Sequence, residues 1–220
     1  MEGQVSFKSR VRDVAVQNAP LYDYYFVKKS YYLISDAFKI RPYYIVEAEI
    51  TNYLHLVGVS TSLSAESFYK KCLDASLSET DFDLSFHGRD PKFSKGSIRQ
   101  KILTLPNMFG ILSAPNLVEE DFVKNVVRCS IATSNVSCTL GFIATPSARP
   151  MTLLRGDELD HTKSSPLKIV FSKNRNEEKF SNILVGSNED LVSSYDSYSE
   201  MISKNLKEYI TSLGNLKESH

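Results

Sequence analysis

The stretch Val126-Val127-Arg128-Cys129-Ser130-Ile131-Ala132-Thr133-Ser134-Asn135-Val136-Ser137-Cys138-Thr139-Leu140-Gly141-Phe142-Ile143 decides the fold class. Two arms rich in β-branched and apolar residues, Val126 to Ala132 and Val136 to Ile143, flank the polar turn candidate Thr133-Ser134-Asn135. In the second arm Val136, Cys138, Leu140 and Phe142 alternate, which is the period of a half-buried strand. A hairpin is predicted here, and further strands are predicted at Ser30–Ile34, Pro42–Ile50, Met151–Leu154, Leu167–Phe171 and Phe180–Val185.

Helical spacing occupies the ground between and beyond these strands. Residues 1–20 form an arm or a short helix, and Pro20 opens a helical face with Leu21, Tyr24, Tyr25 and Lys28. Ser64 is placed to cap a helix with Glu66 in its first turn and Ala65, Phe68, Cys72 and Leu73 on one face. Ile98, Ile102, Leu105 and Phe109 predict another helix, interrupted at Pro106. From Tyr195 an amphipathic helix runs through Tyr198, Ile202, Leu206, Tyr209 and Leu213, with Gly214 as its stop. Strands in runs with helices between and after them predict an α+β fold in one domain over 1–220.

The 220 residues suffice to bury roughly 70% of the unfolded surface without a disulfide or metal staple. Cys72, Cys129 and Cys138 are odd in number and lack C-x-x-C spacing, which predicts buried thiols in a reducing compartment. Neither a signal peptide nor an apolar run of membrane-spanning length is visible, so a cytoplasmic location is expected. Twenty-six basic and 26 acidic side chains cancel, which removes the overall positive field typical of nucleic-acid binders and leaves only local patches to serve that purpose. Seven of the 12 tyrosines lie between Tyr22 and Tyr44; sheet packing is their commoner use, and stacking on bases is the other.

Phosphate-binding loops, dinucleotide fingerprints, zinc-protease motifs and nucleophile elbows are absent, and no cofactor is expected. The histidines His55, His87, His161 and His220 are scattered, without metal-ligand spacing, so no metal is expected. His55 stands apart in Asn52-Tyr53-Leu54-His55-Leu56-Val57-Gly58-Val59, where it follows a predicted strand and precedes a glycine able to turn sharply. Its unperturbed pKa near 6.5 suits acid–base work, although a hydrogen-bonded histidine at a sheet rim is the commoner use of such a position. The run from His87 to Lys101 carries Arg89, Lys92, Lys95, Arg99 and Lys101 against Asp90, a local charge of +4. Such a loop leading into a helix suits phosphate contacts; a solvated loop is the alternative.

The segment Asn52 to Val59, followed by Ser64-Ala65-Glu66-Ser67-Phe68-Tyr69-Lys70-Lys71-Cys72-Leu73, resembles the fourth family of phage-associated nucleases of the Barnase–EndoU–colicin–RelE fold. Ile98-Arg99-Gln100-Lys101-Ile102-Leu103, Leu140-Gly141-Phe142-Ile143 and Pro150-Met151-Thr152-Leu153-Leu154 are similar too, so that the likeness covers about 30–185. Val57 departs from it, standing where a small polar residue such as threonine is expected. The resemblance implies a curved antiparallel sheet packed against helices and an RNA substrate cut without a metal through attack of the ribose 2′-OH. It implies His55 for acid–base work, Lys101 as the cation for the phosphorane and Thr152 for positioning, with Lys168 or Lys173 replacing or assisting Lys101. Arg89, Lys92, Lys95 and Arg99 would bind substrate. A toxin or phage-defence role and a protein inhibitor belong to the same expectation, whereas a homodimer belongs to a further reading, an interaction module whose Tyr-rich N-terminal region forms a dimer face. The alternative is a catalytically silent module of the same fold that binds RNA or protein.

Overall fold

The computed structural model describes residues 6–85 and 91–217. Helix α1 (Phe7–Tyr22) continues through a π-helical turn at Asp23–Val27 into strands β1 (Lys29–Ser35) and β2 (Tyr44–Val46). Three helices follow, α2 (Asn52–Val57), α3 (Ala65–Leu73) and α4 (Pro91–Thr104). The next five strands are β3 (Leu117–Lys124), β4 (Val127–Asn135), β5 (Cys138–Ala144), β6 (Ala148–Arg155) and β7 (Ser165–Asn174). A short β8 (Asn182–Val185) leads to α5 (Asn188–Ser193), α6 (Tyr195–Tyr198) and α7 (Lys204–Lys217).

The α+β class agrees with the sequence, but the sheet is a closed barrel rather than an open curved sheet. Its seven strands run in the order β1, β2, β6, β5, β4, β3, β7, and β7 returns to β1. Closure depends on the length of β7. Along one edge it takes β1 from Asn174 to Leu167; along the other it takes β3 at its start and β8 near its end. Every strand pair is antiparallel except β2–β6, which meet in parallel at the single register Val46↔Ala148.

The predicted hairpin is β4–β5, with its reversal later than Thr133-Ser134-Asn135. Asn135 ends β4 and its side-chain oxygen accepts from the amides of Ser137 (3.0 Å) and Cys138 (2.9 Å), fixing the turn at Val136-Ser137. Strand β3 gave no signal in the sequence because Glu119, Glu120 and Asp121 interrupt it, and acidic residues are depleted from strands. Both glutamates are nonetheless buried there as acceptors of backbone amides, Glu119 from Asp160 (2.7 Å) and Glu120 from Ile40 (2.7 Å). The predicted strand over Pro42–Ile50 shrinks to β2. The predicted C-terminal helix breaks at Ile202, where Phe180 donates its N–H to the Met201 carbonyl and accepts the N–H of Ser203 across the break, and α7 then runs through Gly214.

Three apolar clusters order the layers. The largest joins the inward residues Leu33, Val46, Ile131, Leu140, Phe142 and Leu153 to α1–α4, which contribute Val11, Ala15, Tyr53, Leu56, Phe68 and Ile98. A second lies outside β1 and β7, where α5–α7 cover Tyr32, Ile169 and Phe171. A third, around Phe122, Cys129 and Leu159, lies on the outer side of β3 and β4. Most of the aromatic N-terminal region is spent on packing: Tyr22, Tyr31, Tyr32 and Tyr44 are buried, and Tyr22 stacks on Phe26 and tilts against Tyr53. Cys72, Cys129 and Cys138 are buried free thiols, and burial pushes all three up, the latter two to about 11.

Candidate active site

The site is built on α2, which packs with α4 on β6. Asn52 accepts the amide of Glu49 (2.8 Å) at the entry to the helix. Tyr53, Leu56 and Val57 are buried at i, i+3 and i+4, a helical stripe, and that geometry turns His55 outward. His55 is therefore on a helix and not at a strand end, because the apolar residues around it repeat with period 3.6. Gly58 ends the helix at φ 75°, a left-handed conformation, and its N–H reaches the Leu54 carbonyl at 2.8 Å. Val57 has no exposed surface and belongs to the main core. A threonine there would bury a hydroxyl in the core, so this departure from the family pattern falls away from the outward face that carries His55.

The basic run divides by helical geometry. At about 100° per residue, Lys92, Lys95 and Arg99 fall within roughly 60° of one another, and Lys101 lies about 180° from Lys92, beside the buried Ser94 and Ile98. Lys92, Lys95 and Arg99 are exposed, and the Arg99 guanidinium lies over the Phe7 ring at 5.3 Å. Arg89 lies outside the described residues, as do His87 and His220. Lys101 is half-buried, and its ammonium donates to the carbonyl of His55. That carbonyl belongs to the last turn of α2, where helix oxygens lack partners and the dipole is negative.

No carboxylate pairs with Lys101 among the described residues, whereas Lys28, Lys71, Lys124 and Lys168 each hold one. Burial pushes its ammonium down to about 8. The His55 imidazole is held below its ordinary value, first by partial burial and then by the Lys101 charge. The two groups thus hold complementary states near neutral pH, a neutral imidazole beside a cation.

Thr152 is on β6, the strand beneath both helices, but its methyl lies over Gly141 beside Cys129, where a Cβ on Gly141 would come within 2.8 Å of it. This is the face opposite Leu153, which joins the core of α2 and α4, so the Thr152 side chain is not brought to the His55–Lys101 pair. Nor are the β7 lysines. Lys168 pairs with Asp36 (3.0 Å) and Asp190 (3.9 Å), while Lys173 donates to the carbonyls of Glu177 and Glu178. The sequence reading passed over two arginines of β6, one near its start and one at its end. Arg155 is exposed and reaches Gln100 of α4 (3.4 Å); Arg149 is exposed beside Glu49 (4.0 Å), which also binds Arg175 (3.1 Å). The signal available was their position on either side of the predicted strand Met151–Leu154.

A family model described as phage-Barnase-EndoU-ColicinE5/D-RelE like nuclease4 matches residues 16–189. The chain belongs to this nuclease family. The match takes in the last two turns of α1, all seven barrel strands and both helices of the site, and stops within α5. No curated protein and no solved structure is matched. Membership of the nuclease4 family supports nuclease function as a class and nucleic acid as its substrate. Among the described residues no helix is long and apolar enough to cross a membrane, and no three His, Cys, Asp or Glu side chains converge to hold a metal.

Proposed function

We propose that this nuclease4 protein cleaves RNA without a metal, with His55 and Lys101 as its working pair. The observation that carries the reading is the ammonium of Lys101, which has no carboxylate partner among the described residues and is docked on the residue that bears the outward imidazole. In the proposed reaction the neutral His55 imidazole takes the proton from the ribose 2′-OH as that oxygen bonds to phosphorus. Lys101 offsets the negative charge that grows on the phosphorane oxygens. The P–O5′ bond then breaks, the 5′-oxygen takes a proton from water, the hydroxide so formed recovers the proton held by His55, and a 2′,3′-cyclic phosphate remains on the other fragment. A role as toxin or phage-defence effector inside the cell is part of the same proposal, and Arg149 and Arg155 supply exposed cations beside the helices for the strand backbone.

The test is incubation of the purified protein with total RNA in EDTA, followed by analysis of the ends. Cyclic phosphates and 5′-hydroxyls are expected. Products ending in 5′-phosphate, or cleavage that needs an added divalent ion, would overturn the metal-free route. Binding of RNA without cleavage at any protein concentration would identify a silent member of the family instead.

A further inference from the structure

We propose that Gly58 is a positioning residue, its bare α-carbon forming the slot through which Lys101 sets its ammonium beside His55. The inference rests on the reading of His55 and Lys101 given above, and concerns what makes their pairing possible. An L-Cβ on Gly58 would stand 2.4 Å from Lys101 Cδ, 3.1 Å from Cε and 3.0 Å from Nζ. Three atoms along one side chain thus occupy the volume that any other residue would fill. The contact joins two segments 43 positions apart, the end of α2 and the last turns of α4, so it arises from the tertiary fold and not from the local turn.

Two demands meet at this position. The first is conformational, since φ of 75° is cheap for glycine and for asparagine among ordinary residues. The second is spatial, and asparagine does not meet it. A methyl at position 58 meets a flexible side chain rather than backbone, so the cheap relaxation is for Lys101 to swing out. The helix then loses the cation on its last carbonyls, and His55 loses the charge that opposes its protonation. Lys101 is the charged group that acts on the imidazole; α1, α3 and β6, which also pack on or near α2, contribute none among the described residues.

The test reads the His55 imidazole by NMR titration of the full chain, assigned with His55→Gln. Gly58→Asn keeps the left-handed turn and fills the slot; Gly58→Ala fills it with added backbone strain; Lys101→Met removes the cation. The titration midpoint is expected to move upward in all three, and Gly58→Asn combined with Lys101→Met is expected to move it no further than Lys101→Met alone. Cleavage should fall roughly 10²-fold in Gly58→Asn, mainly in kcat, with its acid limb displaced to higher pH. An unchanged His55 midpoint in Gly58→Asn would overturn the proposal, as would additive shifts in the double variant. These outcomes are independent of the function assigned above: a wild-type chain that fails to cut RNA sinks that assignment, whereas the titration still decides the role of Gly58.

Discussion

Replacing His55 with alanine is expected to lower RNA cleavage by roughly 10²- to 10⁴-fold, the range over which a positioned acid–base group acts. The fold should hardly notice. His55 is exposed, and α2 is anchored by Tyr53, Leu56 and Val57 on its other side, so the melting temperature should stay within a degree or two of the wild type. His161→Ala is the matched control, because His161 is exposed in the loop after β6 and pairs with Asp157 at 2.9 Å. The pH profile adds a sign. Partial burial and the Lys101 ammonium hold the imidazole below its usual 6.5, so the neutral base persists into mildly acid solution and the acid limb of kcat/KM should lie below that value. A His55→Ala protein that retains full activity, or an acid limb above 6.5, would remove His55 from the chemistry.

The second large effect is on stability. Glu120→Gln should cost about 3 kcal/mol at pH 7, since it replaces a buried carboxylate held by several charge-assisted bonds, each worth about 1.5–3 kcal/mol. The carboxylate accepts from the amides of Lys39, Ile40 (2.7 Å) and Arg41 (3.2 Å) and from the Tyr44 hydroxyl (2.6 Å), tying the β1–β2 connection to β3. Burial by itself would raise this carboxyl; the Tyr44 hydroxyl and then the amides of Ile40, Lys39 and Arg41 outweigh it and hold it below the usual carboxylate range. A depressed folded value means the contribution is complete above the unfolded value of about 4.3 and is lost as pH falls through the folded one. Denaturant melts should therefore show the gap between wild type and Glu120→Gln closing in acid below about pH 4. A gap that stays constant from pH 7 to 3 would show that the charge is not what binds the loop.

Most strands and helices could be read from the sequence because their signals are local. Leu140 and its alternating neighbours mark β5, and Ser64 caps α3 by accepting the Ser67 amide at 3.1 Å as its position suggested. Barrel closure could not be read, because it depends on which partner β7 meets along each edge, and that choice is made far from β7 in sequence. Strand β3 was hidden by acidic residues whose amide partners lie about 40 and 80 positions away, Asp160 for Glu119 and Ile40 for Glu120. At the site, His55 was visible as an isolated histidine before a glycine, but the helix under it was masked by a short apolar run that strands also show. The basic run read as one patch until α4 separated Lys101 from the solvent-facing Lys92, Lys95 and Arg99. No pattern in a single sequence shows that the Gly58 α-carbon is crossed by a lysine 43 residues later.

The seam between β1 and β7 also sets a timetable. Its registers run from Lys29↔Asn174 to Ser35↔Leu167, separations of 145 and 132 residues (174 minus 29, and 167 minus 35). At 5–20 residues per second, a ribosome needs roughly 7–30 s to add that much chain. During that interval β1 waits for its partner on one edge, and α2 and α4 wait for β6, the strand on which they pack. Contacts this distant in sequence come late in folding. For a chain of a nuclease family, the order of synthesis therefore delays a finished site until β6 and then β7 have been made.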